Sequence, residues 1–290
     1  MNLTSPSNIA NLCEEFGFKF KKKFGQNFLI NPQIPQKIAQ ASVPDASPRA
    51  CIEIGPGAGT LTRELSALYD RVIAFEIDED LIPVLNKTLS DCENTSVINE
   101  DILKVDLKAF IEENLQGYSV CVCANLPYYI TTPIVMQLLE AGADIEKIVV
   151  MMQKEVAQRL VAQPATSEWG AITPTVKYYA RVKKLFDVSP GNFMPRPDVV
   201  STVVCFEPHK TKPIIPKSEE FLHKTIKGAF ALRRKTLQNS LSCEFSSLSK
   251  EELAKCIEKA GLSAGVRGET LELSQFVTLS DVLYETIKGI

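Results

Sequence analysis

Two spacings of apolar residues alternate along this chain, and the switches between them outline its fold. From residue 50 onward, short apolar runs bounded by turn residues alternate with stretches whose apolar positions recur at helical spacing. That is the pattern of buried strands and amphipathic helices. Ala50–Ile54, Val72–Ile77, Ser96–Asn99, Val120–Cys123 and Ile148–Met152 predict strands, and Thr60–Tyr69, Glu79–Leu89, Leu107–Leu115 and Pro133–Ala141 predict the helices between them. Crossovers of this kind are right-handed and give a mainly parallel sheet covered on both faces.

After Gln153 the rhythm changes. Helical spacing runs from Glu155 to about Ala162 and again within Ile172–Ala180, followed by two β-rich segments, Val182–Val188 and Ser201–Phe206, that could close the sheet with an antiparallel strand. His209–Pro216 is Pro-rich and reads as a linker. Beyond Lys217 only helical patterns remain, with a cap signal at Ser249 followed by Glu251 and Glu252. The expected organisation is a large domain over residues 1–208, including a basic extension over 1–30, and a small helical domain over 209–290.

Composition fits this picture: 290 residues, 45% hydrophobic and 23% charged, is globular. No run of about 18 apolar residues is present, and Glu14 and Glu15 fall where a secretory signal needs an apolar middle, so a cytoplasmic protein without a membrane span is expected. The eight cysteines then read as reduced thiols. Cys121 and Cys123 form only a C-x-C, and His209 and His223 lack ligand spacing, so no metal site is expected.

The net charge of −3 argues at first against a nucleic-acid partner. Its distribution reverses that reading. Residues 1–44 carry five basic and two acidic side chains, residues 45–155 carry eight and nineteen, and residues 177–235 carry thirteen and five. An acidic block between two basic stretches suggests a polyanionic partner for part of the surface.

In a doubly wound sheet, ligands bind outside the carboxyl ends of the strands. After the first predicted strand comes Glu53-Ile54-Gly55-Pro56-Gly57-Ala58-Gly59-Thr60, a turn that lets a ligand approach the backbone at a helix N-terminus. Its G-x-G-x-G spacing differs from the G-x-G-x-x-G that cradles a pyrophosphate, which tilts the ligand away from a dinucleotide. Glu76, 21 positions after Gly55, matches the carboxylate that grips a ribose diol. Glu100-Asp101 follows the third strand, where a carboxylate can accept a bond from an adenine amino group.

The sharpest signal is Asn125-Leu126-Pro127-Tyr128 after the fourth strand. An adenine amine is a poor nucleophile because its lone pair is delocalised into the ring. An amide oxygen of Asn125 and a nearby backbone carbonyl, each accepting one N–H, would aim that lone pair at an electrophile. Pro127 stiffens the loop, and Tyr128 offers a face on which a base can stack.

Together these residues resemble the S-adenosylmethionine-dependent rRNA adenine N6-dimethyltransferases, and most closely the bacterial small-subunit (16S) branch. The resemblance runs from Lys22 to the C-terminal helices and includes Phe24-Gly25-Gln26-Asn27-Phe28-Leu29, Phe75-Glu76-Ile77-Asp78, Asn192-Phe193-Met194-Pro195-Arg196-Pro197 and Phe230-Ala231-Leu232-Arg233-Arg234-Lys235-Thr236-Leu237. It implies a Rossmann-like class I methyltransferase fold, α/β with a mostly parallel seven-stranded sheet and a C-terminal helical domain. Asn27, Leu29, Gly55, Gly57, Glu76, Ile77, Asp101, Ile102 and Asn125 would line the S-adenosylmethionine pocket. Asn125, Leu126, Pro127 and Tyr128 would form the catalytic loop, with Phe193 as the second wall of a slot for the target adenine.

The implied reaction is dimethylation of two adjacent adenosines in a 3′-terminal hairpin of small-subunit rRNA within the 30S particle, by a monomer with a role in subunit biogenesis. Lys21, Lys22, Lys23, Lys183, Lys184, Arg233, Arg234 and Lys235 would meet backbone phosphates. The alternatives are the large-subunit methyltransferase branch of macrolide resistance and a non-catalytic nucleic-acid-binding factor on the same fold.

Overall fold

The structure, a computed structural model, describes residues 1–21 and 25–289. Lys22, Lys23 and Phe24 lie outside the described residues. The chain divides into two compact units, one comprising residues 1–157 and 182–208, the other 158–181 and 209–290.

The strands of the described chain are β1 (Phe28–Leu29), β2 (Arg49–Ile54), β3 (Arg71–Glu76), β4 (Thr95–Asn99), β5 (Ser119–Asn125), β6 (Lys147–Gln153), β7 (Ala180–Val188), β8 (Phe193–Met194) and β9 (Ser201–Pro208). Seven of them form one sheet in the order β4-β3-β2-β5-β6-β9-β7. Neighbours from β4 to β6 are parallel, with Ile52 opposite Ile73 on one side and Val122 on the other. β9 then runs antiparallel to β6, with Gln153 opposite Ser201. The expected five-strand alternation and its antiparallel closure are both present. β2 and β5 are buried along nearly their whole length, which is why they read as continuous apolar runs.

Helices begin where capping chemistry allows. Asp106 Oδ1 accepts the Ala109 N–H at 3.1 Å to start Leu107–Asn114. The expected helix over 79–89 is divided into a 3-10 turn at Glu79–Leu81 and a helix at Ile82–Thr88, and Pro83 falls in the first turn of the latter, where no N–H is needed. One apolar cluster joins Ile34, Ile38, Leu61 and Leu65 to Cys51, Cys121, Cys123, Val149 and Val203 of the sheet. A second packs Ile9, Leu12, Phe18 and Phe28 against Leu81, Val84, Leu85 and Leu89. The N-terminal helix Pro6–Glu15 therefore contributes to the unit's core. Five of the eight free cysteines are buried within their units.

The second unit is helical, with Glu219–Ala231, Leu237–Leu241, Lys250–Lys259 and Leu273–Lys288 as its C-terminal helices. Ser249 and Glu252 form the expected reciprocal capping box. The boundary differs from the expected 208/209 division because Gln158–Arg181 groups with these helices. In that segment the Tyr178 hydroxyl donates to Glu219 Oε1 at 2.6 Å, the Tyr179 hydroxyl lies 3.1 Å from His223 Nε2, and Trp169 is fully buried. Its apolar and polar partners lie some forty residues downstream, beyond the reach of local periodicity. No described helix is long and apolar enough to cross a membrane.

Candidate active site

The carboxyl ends of β2, β3 and β5 and the segment after β4 open on one cleft of the first unit. Asn27, Leu29, Gly55, Gly57, Glu76, Ile77, Asp101, Ile102, Asn125, Leu126, Pro127 and Tyr128 all line it. Residues spread over a hundred positions of sequence are thus brought together.

The glycine turn shapes the cleft floor. Gly55 has φ +70, and a Cβ built there would meet no atom within 4 Å, so its backbone borders open space. Gly57 has φ +59, and a Cβ there would lie 3.0 Å from the Phe28 ring, so the turn and the β1 segment approach too closely for a side chain. The Gly57 N–H donates to Glu76 Oε2 at 3.3 Å, and the Asp78 N–H donates to Oε1 at 2.9 Å. These bonds fix the Glu76 carboxyl at the end of β3, 5% exposed. Burial pushes its pKa up to about 7, against the pull of the two N–H donors.

Glu53, one strand position before the turn, is 1% exposed, and its Oε2 has no hydrogen-bond partner among the described residues. Burial, followed by the charge of Glu76, raises it to about 8. Asp101 accepts the Leu103 N–H at 3.0 Å. The cleft lining contains Glu53, Glu76, Glu100 and Asp101, and no Lys, Arg or His among the described residues. Apolar side chains including Leu29, Ile77, Ile102 and Ile134 share the walls with the uncharged polar Gln26, Asn27, Thr60 and Asn125. A lining of this kind suits a neutral or cationic ligand with a flat apolar part and opposes a phosphate.

The loop after β5 is held rigidly. Leu126 N–H donates to the Met151 carbonyl at 3.2 Å, Ile130 N–H to the Pro127 carbonyl at 3.2 Å, and Thr131 Oγ1 to the same carbonyl at 3.1 Å. Asn125 Nδ2 donates to the Asn27 carbonyl at 3.1 Å. With one Nδ2 N–H engaged there the amide is oriented, and Oδ1, its acceptor atom, is the group it can offer to an N–H donor. The Tyr128 hydroxyl lies 2.7 Å from Ser201 Oγ, which fixes the ring at its outer edge.

Phe193 is not brought to the cleft. It faces Leu29 across the short antiparallel ladder of β1 and β8, 3% exposed within the sheet core. In such a ladder directly opposed residues share a face, and the core claims this one. Gln26, by contrast, lines the cleft without having been assigned a role from sequence. Its Nε2 donates to Asp78 Oδ2 at 2.8 Å, and its Oε1 accepts the Lys21 N–H at 2.8 Å. Ser201 was equally unassigned, because its pairing with Tyr128 spans 73 positions.

The candidate phosphate-binding residues vary. Lys21 Nζ pairs with Asp78 at 2.6 Å and Asp80 at 2.5 Å, so its charge supports the wall behind Glu76. Lys183 pairs with Glu207 at 2.7 Å and Lys184 with Asp187 at 2.9 Å, both in exposed settings. Within the second unit Arg233 Nε reaches Glu269 at 3.4 Å, and Nη2 donates to the Ser167 and Trp169 carbonyls. Arg234 and Lys235 are exposed.

The chain is similar to known proteins over nearly its whole length. The family described as ribosomal RNA adenine dimethylase matches residues 17–284. A ribosomal RNA small subunit methyltransferase A of Lachnoclostridium phytofermentans is 44% identical over 288 residues, 99% of either chain. Among solved structures, a dimethyladenosine transferase from Plasmodium falciparum superposes with a TM-score of 0.74 at 25% identity, covering 91% of this chain and 98% of that one. The 23S rRNA methyltransferase ErmE gives 0.66 at 24% identity, covering 89% and 100%, a likeness of fold.

Proposed function

The chain belongs to the ribosomal RNA adenine dimethylase family, and we propose that its cleft holds S-adenosylmethionine while Asn125 and Tyr128 present an adenine of small-subunit rRNA for methylation at N6. The activity is that of an rRNA adenine dimethyltransferase. The observation that carries the site assignment is the Asn125 amide, whose Nδ2 is committed to the Asn27 carbonyl at 3.1 Å in a cleft lined by carboxylates.

The residues present fit the cofactor. Four acidic side chains and no basic one line the described cleft, and a buried Glu53 oxygen lacks a partner, which suits a ligand that brings positive charge and N–H donors. Glu76 would accept from the ribose hydroxyls, Asp101 from the adenine amine, and Ile77 and Ile102 would flank the adenine. Asn27, Leu29, Gly55 and Gly57 would border the methionine portion. S-adenosylmethionine supplies an activated methyl group carried on a positively charged sulfur.

The chain's own work is orientation and exclusion of water. Asn125 Oδ1 accepts one N–H of the target amine, which turns the nitrogen lone pair toward the cleft. Tyr128, pinned through Ser201, stacks on the base and holds its plane. After transfer, the acidic proton on nitrogen passes to solvent, and the monomethylated amine keeps one N–H with which to re-engage Asn125. The target must leave its stack to enter. Arg234, Lys235 and the exposed lysine pairs supply contacts to backbone phosphates. The finer reading is a monomer that acts on two adjacent adenosines of a 3′-terminal hairpin within the 30S particle.

The test is incubation of purified protein with labelled S-adenosylmethionine and unmethylated small or large ribosomal subunits, followed by mapping of the labelled base. Label on adenine N6 of small-subunit RNA is expected. Label confined to large-subunit RNA would overturn the substrate, and no label in either would leave a binding factor.

A further inference from the structure

Two tyrosines stand side by side in the loop after β5, and the structure treats them oppositely. Tyr128 is anchored by its hydroxyl to the fully buried Ser201. Tyr129 has no hydrogen bond among the described residues and is 60% exposed, the one aromatic ring among the exposed large apolar side chains of the described chain. It nevertheless lines the same cleft.

Its ring lies beside the Gly25 turn: a Cβ built on Gly25 would come to 3.8 Å from Tyr129 Cδ1 and 3.3 Å from Pro127 Cβ. Behind it, Ile130 N–H and Thr131 Oγ1 both bond the Pro127 carbonyl, which fixes the backbone on which the ring is carried. Partial burial and the nearby Asp101 charge raise the phenol above its ordinary pKa, so the ring stays neutral. The result is a flat, uncharged, solvent-facing aromatic surface at the mouth of a site that takes one base out of a strand.

A base drawn out of its stack exposes a face of the nucleotide beside it. That face is apolar and costs free energy in water unless another flat surface covers it. A single exposed ring beside the entry point meets that need, and stacking makes no demand on base identity. We propose that Tyr129 is a stacking platform for the nucleotide that flanks the target adenosine. The proposal rests on the reading of the cleft as an adenine methylation site.

The test uses small ribosomal subunits that carry a synthetic 3′ RNA segment, either intact or with one flanking nucleotide made abasic, and measures affinity for wild type, Tyr129→Ala and Tyr129→Phe. On intact RNA, Tyr129→Ala is expected to bind roughly tenfold more weakly than wild type, and Tyr129→Phe about equally. On the RNA abasic at the stacked flank, wild type should fall to the level of Tyr129→Ala, and the variant should lose nothing further. With 2-aminopurine at that flank, wild type should quench the fluorescence and Tyr129→Ala should not. An equal penalty for Tyr129→Ala on every RNA would overturn the proposal. So would unchanged RNA affinity with weakened S-adenosylhomocysteine binding, which would place the ring over the cofactor. If wild type methylates the intact subunits, these outcomes bear on Tyr129 alone; if it does not, the methyltransferase reading and the proposal fall together.

Discussion

Tyr128 and Ser201 lie 73 positions apart, yet their hydroxyls meet at 2.7 Å. The bond joins the loop after β5 to the first residue of β9, where Ser201 sits opposite Gln153 in the antiparallel ladder. Ser201 is 0% exposed, so Tyr128 is held by a part of the structure that does not move with the loop. A stacking ring with its outer end tethered keeps one plane, which is what in-line presentation of an amine requires. Ser201→Ala removes the tether and leaves a half-buried phenol without its partner, a loss worth about 1–2 kcal/mol. Single-turnover methylation should slow by roughly tenfold, with KM for the subunit nearly unchanged. Tyr128→Phe should do the same, and the double variant should be no slower than either. Losses that multiply in the double variant would show that the two hydroxyls act separately.

Asn125 gives a sharper prediction. Its Nδ2 donates to the Asn27 carbonyl and leaves Oδ1 for the substrate. Asn125→Ala removes both, and a misplaced reacting amine costs on the order of a hundredfold or more. Methyl transfer should fall below detection while affinity for the small subunit changes by less than about twofold. Asn125→Asp should fail as well, because a carboxylate cannot donate to the Asn27 carbonyl and repels it. Turnover near wild type in either variant would remove Asn125 from the positioning role.

Two buried carboxyls make folding stability pH-dependent. Burial raises Glu76 from 4.5 to about 7 and Glu53 from 4.5 to about 8. The native state therefore holds protons that the unfolded chain has already released above about pH 4.5. Their contribution to stability is complete below that pH and is lost as pH rises through about 7 and about 8. From pH 5, Glu76 keeps its proton over about 2 pH units and Glu53 over about 3, and at ~1.4 kcal/mol per unit the loss between roughly pH 5 and pH 9 is on the order of 5–7 kcal/mol for the pair. Glu53→Gln keeps the shape without the ionisation and should flatten this dependence, to be read as urea midpoints across the range. Parallel curves for wild type and variant would contradict it.

Sequence carried the sheet and the cleft further than it carried the surface. β2, β3, β5 and β6 are buried at nearly every position, so their apolar runs marked them, and these strands and the partly exposed edge strand β4 were each placed within two residues of their observed ends. Asn27 and Leu29 lie before and within β1 and were suggested only by the family resemblance, whereas the cleft residues Gly55 and Gly57, Glu76 and Ile77, Asp101 and Ile102, and 125–128 were legible because each group lies at or just after the carboxyl end of a strand, where topology makes them converge. Phe193 was not: its ladder with Leu29 is two residues long, too short for alternation to show which face is buried. Lys21 looked like one more phosphate ligand in a basic run, and only the fold shows Asp78 and Asp80 beside it. Gln158–Arg181 read as part of the large domain because its partners, Glu219 and His223, lie far downstream.

The run Arg233-Arg234-Lys235 separates a structural charge from charges open to a partner. Arg233 spends its guanidinium on Glu269 and on the carbonyls of Ser167 and Trp169 within the second unit. Its replacement by alanine leaves those carbonyls with fewer donors and should lower the unit's stability by about 1–2 kcal/mol, seen as a lower melting temperature. Arg234 and Lys235 are exposed side chains. If both meet phosphates, Arg234→Ala with Lys235→Ala should weaken subunit binding, and the slope of log affinity against log salt should shrink by about 1.5, since each contact contributes roughly 0.7–0.9. Melting temperature should not change. Arg233→Ala should alter the slope less than this pair does while destabilising more. An unchanged slope in the double variant would place the RNA contacts on other residues, with the Lys183 and Lys184 pairs the next to examine, because surface ion pairs worth under about 1 kcal/mol can exchange a carboxylate for a phosphate at little cost.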